Sequence, residues 1–500
     1  MLEKCDLKRK VGKREFKEQV KALKEQLTAL DAPIKAAKLP VIILFDGWSA
    51  AGKGRLIQNL IQNFDPRWYR VTTTLPPTET EKREPMMWRH WANIPENGKI
   101  AVLDQSWYQE VTTLRVDKKT DELTNLRHMN EINSFERGLV NNGYLIIKFF
   151  IHISKKEMKK RIDGLMADKN TAWRVTDADR KMLKNYDEYV RVTDPMLEYT
   201  NTPEALWHVI SGTDPESSIL DVFHIVIDSV STALKVKADR DRLANEAATV
   251  IQPGQYRFVP MPLLKDVDLN RSLTDEEYKK QLKTEQDRLS YYHNLLYRHR
   301  IPLIICYEGW DAAGKGGNIK RVSAALDPRG YEVFPIASPT PDEKNRHFLW
   351  RFWRRLPKSG HVAIFDRTWY GRVMVERLEG FCTANDWQRA YGEMNDFERQ
   401  LYDWGAIIIK FWIHISNEEQ LARFTARQED PAKQWKITDE DWRNREKWPQ
   451  YEVAVNDMLK YTSTEFAPWH IIEGNDKKFA RVKALKIINE AIEKRLKDVN

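Results

Sequence analysis

Gly309-Trp310-Asp311-Ala312-Ala313-Gly314-Lys315-Gly316 is the stretch whose reading decides the fold. An apolar run, Leu303-Ile304-Ile305-Cys306-Tyr307, precedes it, and the pattern after it predicts a helix over Asn318–Leu326, ahead of Asp327-Pro328. Strand, glycine-bearing turn with Lys, then helix is the context of a phosphate-binding loop. Backbone N–H groups of Gly309, Ala312, Ala313, Gly314 and Gly316 can converge on phosphate oxygens, and the helix N-terminus adds positive potential. Lys315 adds a charge able to reach a moving phosphoryl group. Gly316 stands where such loops carry the Ser or Thr that binds Mg²⁺. A metal must then be held otherwise, and Asp311 is the candidate.

The same pattern occurs 262 residues earlier, as Gly47-Trp48-Ser49-Ala50-Ala51-Gly52-Lys53-Gly54 after Val41-Ile42-Ile43-Leu44-Phe45. From Val41 to about Asp214 the chain lies on Leu303 to Asp476 without a gap: Trp88 and Trp91 fall on Trp350 and Trp353, Asp104 on Asp366, Glu136 on Glu398, Lys148 on Lys410 and His152 on His414. A constant offset of this length marks a duplicated domain rather than a short-period solenoid. Domains are expected at 1–245 and 273–500, with 246–272 as the linker, because Gln252-Pro253-Gly254 and Pro260-Met261-Pro262 break periodicity there. In each copy, strands alternate with helices; in the second they are expected at Leu303–Tyr307, Tyr331–Ile336, His361–Phe365, Ala406–Ile415 and Trp469–Ile472. That alternation implies an α/β fold with a parallel sheet covered on both faces. A charged helix is expected over residues 1–35, ended or interrupted at Asp31-Ala32-Pro33, and its echo over Leu273–Arg300.

The chain has 500 residues, enough for two cores, and no apolar run approaches the length of a membrane span. Met1-Leu2-Glu3-Lys4-Cys5 has no apolar secretory stretch, and three scattered cysteines form no metal-ligand cluster. A cytoplasmic setting is the simplest expectation. The net charge of +8 suits a polyanionic partner. No zinc, RNA-recognition or glycine-arginine motif points to nucleic acid.

Asp366 closes an apolar strand, where a phosphate-loop protein holds its metal carboxylate. Asp311 and Asp366 are thus the expected Mg²⁺ ligands. Arg367 and Arg372, in Asp366-Arg367-Thr368-Trp369-Tyr370-Gly371-Arg372, bring guanidinium forks that match phosphate oxygens, unless one pairs with Asp366 or Glu376. Trp369 and Tyr370 are expected in the core, and His414 and His470 as core histidines. The basic stretch Arg423–Trp448, with Lys433 and Lys436, reads as a helical lid that brings positive charge over the reacting phosphates.

These motifs, with Asp430-Pro431-Ala432-Lys433-Gln434-Trp435-Lys436 and Ala467-Pro468-Trp469, resemble the polyphosphate kinase 2 family. The likeness runs once through each half. It implies two tandem phosphate-loop-kinase-like three-layer α/β/α domains, and a Mg²⁺-dependent enzyme that transfers the terminal phosphoryl group of inorganic polyphosphate to AMP to give ADP. The assigned site then comprises Asp311, Lys315, Asp366, Arg367 and Arg372 as catalytic groups, with Lys433 and Lys436 among the phosphate ligands. Phosphorylation of ADP to ATP is the alternative within the class, and a nucleic-acid-tracking ATPase the alternative outside it. The halves differ: Asp311 corresponds to Ser49, Arg367 to Gln105, and Gly371-Arg372 to Gln109-Glu110. The first half is therefore expected to be a degenerate copy and the second the catalyst, in a chain that is a monomer or a homodimer.

Overall fold

The computed structural model describes residues 1–117, 120–243, 250–431 and 439–498. Its two compact units are Met1–Pro77 with Met86–Leu243 and Pro341–His347, and Thr78–Pro85 with Ala244–Thr340 and Phe348–Asn500. Each unit is built on a five-stranded sheet. In the first, β1 (Val41–Gly47), β2 (Tyr69–Thr73), β3 (Ile100–Asp104), β4 (Leu145–His152) and β5 (Trp207–Ser211) lie in the order β2-β3-β1-β4-β5. In the second, β6 (Leu303–Gly309), β7 (Tyr331–Pro335), β8 (Val362–Asp366), β9 (Ile407–His414) and β10 (Trp469–Glu473) repeat that order as β7-β8-β6-β9-β10. All eight strand pairings are parallel. The central strands are continuous apolar runs because helices cover both faces; all residues of β9 are buried, including Lys410.

The register aligns the strand ends. Tyr307 pairs with Asp366, and Gly309 with Ile413. The carboxyl ends of β6 and β8 therefore open at one edge, the edge where open α/β sheets bind ligands.

The expected strands are found within two residues at each end. The helix after the second loop starts at Lys315 and ends at Ser323, three residues earlier at both ends than the apolar spacing suggests. Gly314 caps it with φ +109°, a conformation that costs glycine little. Pro33 does not end the first long helix, Lys13–Ala36; it lies inside its last turn. The echo helix, Asp275–His299, is started by a Thr274–Glu277 capping box.

The stretch expected to link the domains is anchored on the second unit. Gln252 N donates to Gln388 O, Val259 N to Ser463 O and Leu264 N to Asn456 Oδ1, and Leu264 is buried. Lys433 and Lys436 lie outside the described residues.

Candidate active site

The second phosphate loop leaves β6 at Gly309. A Cβ there would sit 2.5 Å from the Ile413 carbonyl oxygen, so the close approach of loop to β9 requires glycine. Ala312 follows with φ +61°, a position that a non-glycine residue occupies only where its surroundings hold it. Here the surroundings include Arg423. Its guanidinium donates to the carbonyls of Ala312 (3.0 Å), Ala313 (2.9 Å), Gly474 (2.6 Å) and Asn475 (3.1 Å), while Nε pairs with Glu419 at 2.6 Å. Arg423 was expected to contribute lid charge. It is instead 6% exposed and braces the back of the loop, because its five donors are already used.

Lys315 Nζ folds over the loop and donates to the carbonyls of Gly309 (2.8 Å) and Trp310 (3.2 Å). The Trp310 indole N–H donates to His414 Nδ1 at 3.0 Å, and His414 Nε2 faces the Leu264 carbonyl at 3.1 Å. That pairing places the ring proton on Nε2, and burial pushes the His414 pKa down to about 4. His414 is thus a hydrogen-bonded core histidine.

Asp311, 17% exposed, presents Oδ1 3.5 Å from the Arg367 guanidinium and accepts at Oδ2 from Asn444 Nδ2 at 3.0 Å. Asp366 ends β8 beside Tyr307. Arg367 follows with φ +65°, its N–H tied to the Tyr307 carbonyl. Thr368 then locks the run, donating from N and from Oγ1 to Glu308 Oε1, both at 2.7 Å. Burial raises the Glu308 pKa, and these hydrogen bonds with the charges of Lys315 and Arg367 act against it. Trp369 and Tyr370 are core residues, as expected: both donate to Glu398 Oε1, and buried Lys410 donates to Tyr370 Oη, Glu398 Oε2 and the Thr462 carbonyl. This buried charge cluster fixes the strand end that carries Asp366 and Arg367. Arg372 lies 2.8 Å from Glu376 and 4.7 Å from the Phe348 ring centre, so its charge is already partnered.

The structure thus brings Asp311, Lys315, Asp366 and Arg367 to one edge of the sheet, with Arg372 held beside it by Glu376. Sequence reasoning missed Glu308 and Asn444 and read Arg423 as lid charge. The repeat offered a signal for two of them: Arg161 falls on Arg423 and makes the same four carbonyl contacts, to Ala50, Ala51, Gly212 and Thr213, and Asp46 falls on Glu308 and accepts from Ser106 as Glu308 does from Thr368.

The first loop keeps the scaffold. Ala50 has φ +57° and Gln105 φ +64°, and Lys53 donates to the carbonyls of Gly47 and Trp48. Its charges differ. Ser49 replaces Asp311, and Glu110, at the position of Arg372, is ion-paired with Arg89.

Residues 10–238 and 272–500 each match the polyphosphate kinase 2 (PPK2) family. The chain is 41% identical to a polyphosphate:AMP phosphotransferase of Pseudomonas aeruginosa, over 99% of both chains. It is 35% identical to a polyphosphate:AMP phosphotransferase of Acinetobacter johnsonii, over 90% of each. A crystal structure from Pseudomonas aeruginosa PA01, described as a polyphosphate kinase 2, superposes with a TM-score of 0.86 at 39% identity, covering 99% of both chains. The chain belongs to the polyphosphate kinase 2 family, whose domain it carries twice.

Proposed function

We propose that the chain is a phosphotransferase that moves the terminal phosphoryl group of inorganic polyphosphate to AMP, giving ADP, and that the second unit does the chemistry. The observation that carries the assignment is the asymmetry at equivalent positions: Asp311 and Arg367 face each other at the second loop, where the first has Ser49 and Gln105. The named activity of the full-length relatives supports the substrates.

In the reaction the bond from the terminal phosphorus to the chain's bridging oxygen breaks. A bond from that phosphorus to an oxygen of the AMP phosphate forms. The shortened polyphosphate leaves with the electron pair. With a second pKa near 6, the AMP phosphate is largely ionised at neutral pH, so no general base is needed. The barrier is chiefly the approach of anions, and positioning with charge stabilisation lowers it. Lys315, released from the loop carbonyls, neutralises charge on the moving group. Arg367 does the same from the β8 side. The loop amides orient the donor phosphates.

The residues present fit Mg²⁺. Among the described residues no group of three or more His, Cys, Asp or Glu could hold a metal by itself. Mg²⁺ commonly takes one or two carboxylates and completes its shell with water and substrate phosphates. Asp311 and Asp366 would hold it, and it would supply charge neutralisation between donor and acceptor oxygens. Lys433 and Lys436 are assigned to the phosphates, and we place the reaction in the cytoplasm; no described helix is long and apolar enough to cross a membrane. Polyphosphate and AMP are the partners assigned, not nucleic acid. The domain limits proposed are 1–245 and 273–500, with 246–272, anchored on the second unit at Gln252, Val259 and Leu264, joining them.

The test is purified protein with polyphosphate and Mg²⁺, given AMP or ADP separately. ADP should form from AMP, and excess chelator should stop it. ATP from ADP without ADP from AMP would overturn the acceptor. Hydrolysis of ATP stimulated by DNA would overturn the class.

A further inference from the structure

Helix Asp439–Glu446 is held against the second phosphate loop by polar contacts that the catalytic assignment does not use. Asn444 Nδ2 donates to Asp311 Oδ2 at 3.0 Å, and its Oδ1 accepts from the Tyr451 hydroxyl at 3.2 Å. Tyr451 thereby fixes which end of the amide faces the carboxylate. Gln420, 2% exposed, donates from Nε2 to the Asp311 backbone carbonyl at 3.1 Å. Arg445 donates to the Gln420 side-chain oxygen (3.2 Å), the Asn417 carbonyl (2.7 Å) and Asn417 Oδ1 (2.6 Å). Just beyond the helix, Trp448 stacks on Trp310 with ring centres 3.7 Å apart and an interplanar angle of 12°.

The first unit loses this set together. At the positions of Asn417, Gln420, Asn444 and Arg445 stand Lys155, Met158, Met182 and Leu183. Ser49, in place of Asp311, points its N–H and hydroxyl at the Met182 sulfur, at 3.3 and 3.4 Å. Tyr186 replaces Trp448 and meets Trp48 at 53° rather than stacking. The scaffold contacts of the loop survive in that unit, so these replacements go with the carboxylate and not with the fold.

An amide is suited to this place. It donates to a carboxylate without adding charge, and by occupying Oδ2 it leaves Oδ1 and the remaining lone pairs directed toward Arg367 and the phosphate edge. We propose that Asn444 is a positioning residue for Asp311, fixing the direction of its carboxylate and docking helix Asp439–Glu446 on the loop. The role rests on the reading that Asp311 acts in phosphoryl transfer.

The test compares Asn444→Met, which copies the first unit, and Asn444→Asp, the same size with no donor and a like charge. In protein free of metal and nucleotide, Asn444→Met should speed hydrogen exchange across Asp439–Glu446, and Asp311→Ala should do so too. The double variant should exchange no faster than the worse single, because one link is lost either way. With polyphosphate, AMP and Mg²⁺, Asn444→Met should lower kcat about 10-fold and raise the Mg²⁺ concentration for half-maximal rate, with the KM for AMP little changed. Asn444→Asp should be slower still, and it carries the test if the Met variant does not fold. Unchanged exchange in Asn444→Met, additive exchange effects, or an unchanged Mg²⁺ dependence would overturn the role. Turnover that survives Lys315→Ala would instead overturn the catalytic reading, a separate outcome.

Discussion

In the first loop Ser49 turns its hydroxyl toward the Met182 sulfur; at the equivalent place in the second, Asp311 receives the Asn444 amide and faces Arg367. Around both, the same frame recurs: Trp to His, Lys to two loop carbonyls, Arg to four carbonyls, and a buried Lys–Glu–Tyr cluster. The difference teaches that the loop's shape and its chemistry are separable. Backbone strain at Ala50 and Gln105 persists where the carboxylate and guanidinium are gone, so that strain belongs to the fold. The charges are what the second unit adds.

The largest expected effect is on chemistry. Asp311→Ala should lower kcat and kcat/KM together by on the order of 10²–10³-fold, as for one preorganised electrostatic group. Ser49→Ala should leave turnover nearly intact. Steady-state rates with polyphosphate and AMP, on variants whose melting curves match the parent, would check this. Equal losses in both variants would erase the comparison.

The next effect is on stability. Arg423→Met leaves four backbone carbonyls near the loop without their donor, and should destabilise the second unit by about 3–5 kcal/mol. Arg161 is 22% exposed against 6% for Arg423, so water can replace part of what Arg161→Met removes, and about 2 kcal/mol is expected. Two calorimetric transitions would separate the units, and turnover should fall only with Arg423→Met. A larger loss from Arg161→Met would show that burial does not set the difference.

The smallest effect is a pH slope. Burial holds the folded-state pKa of His414 at about 4 against an ordinary 6.5. Below pH 6.5 the unfolded chain takes up a proton that the folded chain refuses, so stability is lost as pH falls from 6.5 toward 4. His414→Gln should flatten the melting temperature of the second unit across that window. His470, also near 4, keeps a residual slope. An unchanged slope would mean that His414 is protonated in the folded state.

The sheet order was not legible in the sequence, but the strands were, because β6, β8 and β9 are short apolar runs bounded by Gly, Asp or Ser. Asp311, Lys315, Asp366 and Arg367 were legible because loop chemistry is local: each lies in or directly after the turn that defines it. Arg423 was misread as lid charge, since a cation in a basic run looks the same whether solvated or folded inward onto carbonyls. Asn444 was invisible for a different reason. It lies 133 residues from Asp311 and carries no charge or spacing signature; only the folded helix brings the two together. Glu308 lies one residue past the expected strand Leu303–Tyr307, and its contact with Thr368 depends on the β6–β8 register.

The most direct test of the proposed division of labour uses the lysine that both loops hold in the same way. Lys53 and Lys315 each donate to the carbonyls of the two residues that open their loops. ADP formation from AMP and polyphosphate should be measured for Lys53→Ala and Lys315→Ala, each confirmed folded. Lys315→Ala should lose on the order of 10²–10³-fold in kcat while Lys53→Ala retains most of it. An active Lys315→Ala beside an inactive, folded Lys53→Ala would place the chemistry in the first unit and contradict the account.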